Sequence, residues 1–146
     1  MTFQPLPSIT ADTAAFWTGG ADGVLNIHRC KQCRTWFHPP TPVCPSCLST
    51  DVGPEPTSGR ATVQGFSVNW QPWAPDMHVP YVVAVVSVDD TDDVQLTTRL
   101  VEIEPDAVSV GLAVEVVFEQ VEDIYLPLFK PADGRVPVSI TDGESA

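Results

Sequence analysis

All four cysteines of this chain fall within RCKQCRTWFHPPTPVCPSC, Arg29 to Cys47. They form two CxxC pairs, Cys30/Cys33 and Cys44/Cys47, with ten residues between them. A CxxC turn brings two sulfurs to a common centre, and two such turns joined by a hairpin build a tetrahedral S₄ site. Four thiolates with no open position and no redox demand suit zinc best; iron in a rubredoxin-like site is the lesser option. A closed site of this kind is structural, because its binding energy folds a segment with hardly any core. Disulfides are a weaker reading, since no charged-then-apolar leader precedes the cysteines and the default compartment is a reducing cytoplasm. A redox CxxC is weaker still without a βαβ pattern around it. His28 and His38 flank the pairs. With four cysteines already in register, both histidines read as surface groups or as neighbours that contact the metal ligands without binding the metal.

The surroundings of the cysteines read as a zinc ribbon. GVLNIHRC alternates Val24, Asn26 and His28 against Leu25 and Ile27, the pattern of a strand entering the first pair. RTWFHPP is a second short strand, closed by Pro39-Pro40. Upstream, TADTAAFWTGG reads as a short helix started by Thr10 and stopped by Gly19-Gly20. Too short to stand alone in water, it must bury Phe16 and Trp17 against something. Downstream, DVGPEPTSG reads as a joint rich in Pro, Gly and Ser.

Five strand-like runs follow the joint. In RATVQGFSVNW the apolar phase is Ala61 and Val63, then flips after Gly65 to Phe66, Val68 and Trp70, which predicts a bulge or sharp bend at Gly65. YVVAVVSV is almost wholly apolar, as a strand covered on both faces is. VQLTTRLV and AVEVVFE alternate, and IYLPLFKP carries Pro127, which predicts an edge strand. A mainly β chain with a short N-terminal helix, a rubredoxin-like zinc ribbon and a five-stranded barrel of the OB type follows. The expected organisation is tail and helix over 1–23, ribbon over 24–52, barrel over 53–131 and a polar tail over 132–146.

Charge and motifs narrow the function. The net charge is −12, from 19 acidic and 7 basic residues. Such a field repels nucleic acid and anionic membrane, and no apolar run approaches the 18 or so residues of a membrane span. Enzyme signatures are scarce: GxSxG, a Gly-rich phosphate loop and HExxH are all missing. His78 with Asp76 is the one candidate acid–base pair, and a plain loop histidine is the simpler reading. Trp70, Trp73, Met77 and Tyr81 gather around the same loop. Aromatics there suit a protein interface better than base stacking, because no Lys or Arg lies between Arg60 and Arg99. The candidate partner interface is therefore Phe16, Trp17, Trp73, Met77 and His78.

Taken in order, FW, RCxxC…PPxxxCPxC, SGRAT, PY, VGLAVEVVF and LPLFKP resemble a known family over roughly residues 12–131. It comprises the acyl-CoA-associated OB-fold proteins with an N-terminal rubredoxin-like zinc ribbon, long carried as a domain of unknown function. Leu48 departs from the pattern, standing where a glycine is common. The resemblance implies a small partner of a thiolase-fold (SCP2-thiolase-like) subunit, with catalysis in the large subunit and an acyl-CoA thioester as substrate of the complex. It implies C–C bond cleavage, by retro-aldol reaction of a steroid side-chain CoA thioester or by thiolysis. A stand-alone acyl-CoA-binding protein and a nucleic-acid-binding OB protein are the alternatives. Arg29, Lys31 and Arg34 are the candidate contacts to CoA phosphates; their plainer role is to balance the charge of the Zn(Cys)₄ centre. No residue of this chain is expected to be catalytic.

Overall fold

In a computed structural model of the chain, residues 6–72 and 78–132 are described. Thr10 and Thr13 start the helix reciprocally: the Thr10 amide donates to Thr13 Oγ1 at 2.9 Å, and the Thr13 amide donates to Thr10 Oγ1 at 3.2 Å. The helix proper, α1, is one turn, Ala14–Thr18, and it does not stop at Gly19. A 3₁₀ turn continues over Gly19–Asp22 and ends at Gly23, whose φ is +72°. A glycine is needed at position 20 for another reason. A Cβ there would fall 2.4 Å from Cβ of Tyr125 and 2.7 Å from the ring of Phe118, so this turn lies directly on the barrel wall.

The ribbon is a three-stranded antiparallel sheet of β1 (Asn26–Cys30), β2 (Trp36–Phe37) and β3 (Val52–Pro56), in the order β2-β1-β3. β3 lies in the stretch expected to be a joint. Its prolines, Pro54 and Pro56, are tolerated because β3 is an edge with one side of its backbone unpaired. Pairing with β1 from Asn26↔Pro56 to Cys30↔Val52 overrides the loop-like composition. The connection to the barrel is short and held: the hydroxyl and the amide of Thr57 both donate to the carbonyl of Leu25, at 2.9 and 3.0 Å.

The barrel closes in the order β4-β5-β6-β8-β7, from β4 (Arg60–Asn69), β5 (Tyr81–Val88), β6 (Gln95–Leu100), β7 (Ala113–Val121) and β8 (Ile124–Pro131). The phase flip in β4 is a register shift between Val63 and Gly65, as the alternation predicts. Entry to the barrel is fixed by SGRAT. Ser58 donates its hydroxyl to Asp90 at 2.8 Å, and Gly59 has φ +76° with Val116 Cγ1 only 2.8 Å from where a Cβ would stand.

Two strand expectations are corrected. β5 is not covered on both faces: Val82, Ala84, Val86 and Val88 are buried, while Tyr81, Val83, Val85 and Ser87 are half-buried outside. β8 is not a sheet edge, because it pairs with β7 along its length and with β6 at Leu100↔Phe129. Pro127 is accommodated where the β6–β8 seam is held by a side chain instead of an amide, with Thr98 Oγ1 donating to the Pro127 carbonyl at 2.9 Å. Phe16, Leu25, Ile27 and Trp36 join Val63, Val86, Val114 and Phe129 in one apolar core, so helix and ribbon are seated on the barrel. Among the described residues no helix is long and apolar enough to cross a membrane.

Candidate metal centre and partner surface

The two cysteine pairs occupy two turns of matching geometry. In the first, the amides of Gln32 and Cys33 point at Cys30 Sγ from 3.3 and 3.4 Å. In the second, the amides of Ser46 and Cys47 point at Cys44 Sγ from 3.3 and 3.4 Å. The chain leaves each turn through a left-handed residue, Arg34 at φ +69° and Leu48 at φ +65°. The sulfurs meet across the turns, Cys30 to Cys47 at 3.6 Å and Cys33 to Cys44 at 3.6 Å, and all four lie within 4.8 Å of one another. A tetrahedral Zn–S₄ centre with bonds of about 2.3 Å has S···S edges of about 3.8 Å, so the cluster has the size and donor set of structural zinc. Cys30 and Cys44 are buried, Cys33 and Cys47 exposed.

The thiols do not ionise alike. The Thr35 hydroxyl and amide beside Cys33 pull its thiol down to about 6. At Cys47 the Ser49 amide favours the thiolate, yet burial and the neighbouring sulfurs outweigh it and push the thiol up to about 12. Adjacent thiolates repel, and a divalent cation at their centre is what makes four of them compatible.

The three cations of the segment have near neighbours. Arg29 Nη1 lies 3.5 Å from Glu55 Oε1, its Nε donates to the Arg34 carbonyl at 2.9 Å, and its guanidinium stands 4.6 Å over the ring of Trp36. Arg34 Nη1 lies 3.9 Å from the other oxygen of Glu55. Lys31 runs along Gly53 of β3, its Nζ 3.9 Å from where a Cβ would be. Glu55 is the carboxylate shared by both arginines, and it stands on β3, in a stretch whose Pro- and Gly-rich composition hides it from sequence.

Above the β6–β8 seam lies a groove of about 580 Å³, walled by Phe16, Trp17, His38, Pro39, Leu96 and Leu126. Phe16 is 8 % exposed and stacks against His38 with ring centroids 4.7 Å apart, so the surface that α1 offers is made by Trp17. Burial, and then the neighbouring His28, hold His38 below its ordinary value, while burial also lowers His28 against a small opposing pull from Asp12. His78 lines a separate, smaller hollow with Pro80, Tyr81 and Arg99. The structure therefore does not bring His78 together with Phe16 and Trp17. Trp73, Asp76 and Met77 lie outside the described residues. At the end of the β4–β5 hairpin, Phe66, Trp70 and Val79 are exposed. Among the described residues no histidine shares a hydrogen bond with a hydroxyl or thiol, so no nucleophile–base pair is assembled.

Comparison with known proteins covers both parts of the chain. Residues 17–53 match the rubredoxin-like zinc ribbon domain of ChsH2, and residues 55–119 match its C-terminal OB-fold domain. A chain of the solved Ltp2–ChsH2(DUF35) aldolase is 34% identical and superposes with a TM-score of 0.77, covering 86% of this chain and 98% of that one. A probable enoyl-CoA hydratase alpha subunit of Thermomonospora curvata is 35% identical over 88% of this chain and 40% of its own length. The 3-oxo-4,17-pregnadiene-20-carboxyl-CoA hydratase alpha subunit of Mycobacterium tuberculosis is 31% identical over 86% of this chain and 39% of its own. The chain thus spans about two fifths of the length of those two relatives. A DUF35 domain-containing scaffold protein of Methanocaldococcus jannaschii is 30% identical over 65% of this chain and 67% of its own length. With ribbon and barrel both matched, the chain belongs to the DUF35 family, the ribbon-plus-OB-fold proteins of the ChsH2 type.

Proposed function

We propose that this chain is a non-catalytic accessory component that binds and completes a thiolase-like enzyme acting on acyl-CoA thioesters. The observation that carries this reading is the likeness to a chain of the Ltp2–ChsH2(DUF35) aldolase, which extends over nearly the whole of that chain. Its name places that protein in an aldolase complex, which favours C–C bond cleavage by retro-aldol reaction over thiolysis. The relatives named as scaffolds point to an assembly role. The four-cysteine metal site and the exposed side chains of Phe66 and Trp70 support a docking role. The steroid side-chain thioester remains the proposed substrate class, supported by the name of the Mycobacterium relative. Trp17 and the groove beside it, together with His78, are the proposed contacts to the large subunit; Lys31, with Arg29 and Arg34, is proposed to face CoA phosphates at its edge.

The test is co-expression with a thiolase-fold subunit, followed by size exclusion and an aldol-cleavage assay on an acyl-CoA thioester. The expected result is one heteromeric peak that cleaves substrate, with neither chain active alone. Turnover by the isolated chain would overturn the accessory role. Tight binding of acyl-CoA by the isolated chain, without complex formation, would favour the stand-alone binding protein.

A further inference from the structure

The seam between β6 and β8 is closed at one end only. Among the described residues Leu100↔Phe129 is the one ladder pair between these strands, and beside it the Val101 amide donates to the Phe129 carbonyl at 2.8 Å. Toward the start of β6 the backbone has groups to spare. The Val88 amide donates to the Val94 carbonyl at 3.2 Å, so in the continuing antiparallel register Leu96, Thr98 and Leu100 turn their backbone groups to β5. Gln95 and Thr97 turn theirs the other way, toward β8, and meet no backbone partner there among the described residues. Across the gap stands Pro127, whose carbonyl is taken by the Thr98 hydroxyl and which has no N–H to give. β8 therefore cannot complete the ladder at this point, and the start of β6 is left as an edge.

That edge lines the groove of about 580 Å³. Gln95 and Thr97 are both exposed, so their backbone groups are open to a partner. Trp17 of α1, His38 of the ribbon and Leu126 of β8 stand around them. Nδ1 of His38 is buried without a hydrogen-bond partner, a further unmet polar atom in the groove wall. The lining holds no Asp or Glu, on a chain that carries 19 acidic residues, so nothing in the groove attracts a basic segment. A row of N–H and C=O groups at strand spacing is met in full by another extended backbone, and apolar walls take the side chains of such a strand.

We propose that this groove is a strand-addition site, in which β6 pairs through the amides and carbonyls of Gln95 and Thr97 with an extended apolar segment of the large subunit that carries no basic residue. The proposal rests on the reading of this chain as an accessory component and names what that component grips. The added strand fills the gap that Pro127 keeps open between β6 and β8. Main-chain bonds supply the affinity, and the walls made by Trp17 and Leu126 select the side chains.

The experiment uses the zinc-loaded full chain co-expressed with a thiolase-fold subunit. Size exclusion over a dilution series reads the dissociation constant, and residue-resolved amide exchange reads the edge. In the complex the Gln95 and Thr97 amides are expected to exchange at least about tenfold more slowly than in the free chain. Thr97→Pro removes one groove-facing N–H and leaves the β5 ladder its bonds, so it is expected to weaken the complex about tenfold, the worth of one backbone hydrogen bond. Thr97→Val, which keeps the amide, is expected to recover most of that affinity. Zinc content and thermal unfolding of the free variants check that each is folded; should Thr97→Pro not fold, the wild-type exchange data decide by themselves. A complex that leaves the Gln95 and Thr97 amides as fast as before, or that Thr97→Pro forms at full affinity, overturns the strand-addition site while the accessory reading stands. Slow exchange of both amides already in the free chain also overturns it: a second copy fills the groove if the slowing depends on concentration, and the chain's own segment if it does not. Failure of the wild-type chain to form any complex overturns both readings.

Discussion

The ribbon and the barrel meet the same cost of ordering a chain by different means. In the barrel Phe129, Val63, Val86 and Val88 expose 1% or less of their surface, and apolar burial at roughly 25 cal/mol per Å² supplies the stabilisation. The outer ribbon has only Phe37 and half-buried Val52 packed around Cys30 and Cys44. So little apolar area cannot offset the conformational entropy of the loops that carry the cysteines, and a metal cross-link takes its place. The inner ribbon is a third case: Leu25, Ile27 and Trp36 belong to the barrel's core. Stability in this molecule therefore depends on distance from the barrel, and the metal matters most at the far end.

The largest expected effect separates the two regions outright. Cys44→Ser, or chelation, should abolish zinc binding and unfold the outer ribbon, because metal-binding free energies of about 10 kcal/mol or more are folding free energy in such modules. Metal analysis and amide hydrogen exchange check this. Protection should vanish over residues 30–50 and persist in β4 to β8; loss of both together would break the comparison. Next, Phe129→Ala should cost about 3–5 kcal/mol as a cavity in the barrel, read as a lowered denaturant midpoint with zinc still bound at low denaturant.

Two smaller changes sharpen the contrast through backbone conformation. Gly59→Ala places a Cβ 2.8 Å from Val116 at φ +76° and should destabilise the chain by about 1–3 kcal/mol. Leu48→Gly should do the opposite, raising ribbon stability by up to about 1 kcal/mol, since glycine carries no left-handed penalty and Leu48 is largely exposed. Thermal unfolding of the zinc-loaded variants tests both signs. The smallest effect is on pH. Burial lowers both His28 and His38 in the fold, so the unfolded chain binds these protons more readily. Stability should be complete above pH 6.5 and decline as pH falls below it. His38→Phe should flatten that decline, followed in denaturant titrations over the range where zinc stays bound.

Much of this was legible in the residues. The CxxC spacing implied the metal centre, because two-residue turns impose the geometry whatever surrounds them. The apolar phase flip at Gly65 announced a bulge for the same local reason. What escaped was set by neighbours distant in sequence. DVGPEP has the composition of a loop, yet becomes β3 because β1 presents an open edge to it. Pro127 reads as an edge residue, yet sits in a closed barrel, beside a β6–β8 seam paired at Leu100↔Phe129 with Thr98 donating to the Pro127 carbonyl. That Phe16 had to be buried was legible from the short helix; that His38 is what it packs against was not.

The chain's own order of residues, then, determined the metal ligands and the phase flip at Gly65, both of which arise from contacts within a few residues. Only the tertiary structure decided that Glu55 serves two arginines and that Gly20 lies on Tyr125 and Phe118. Those outcomes depend on which surfaces meet after collapse, and no spacing along the chain encodes a partner that arrives through space.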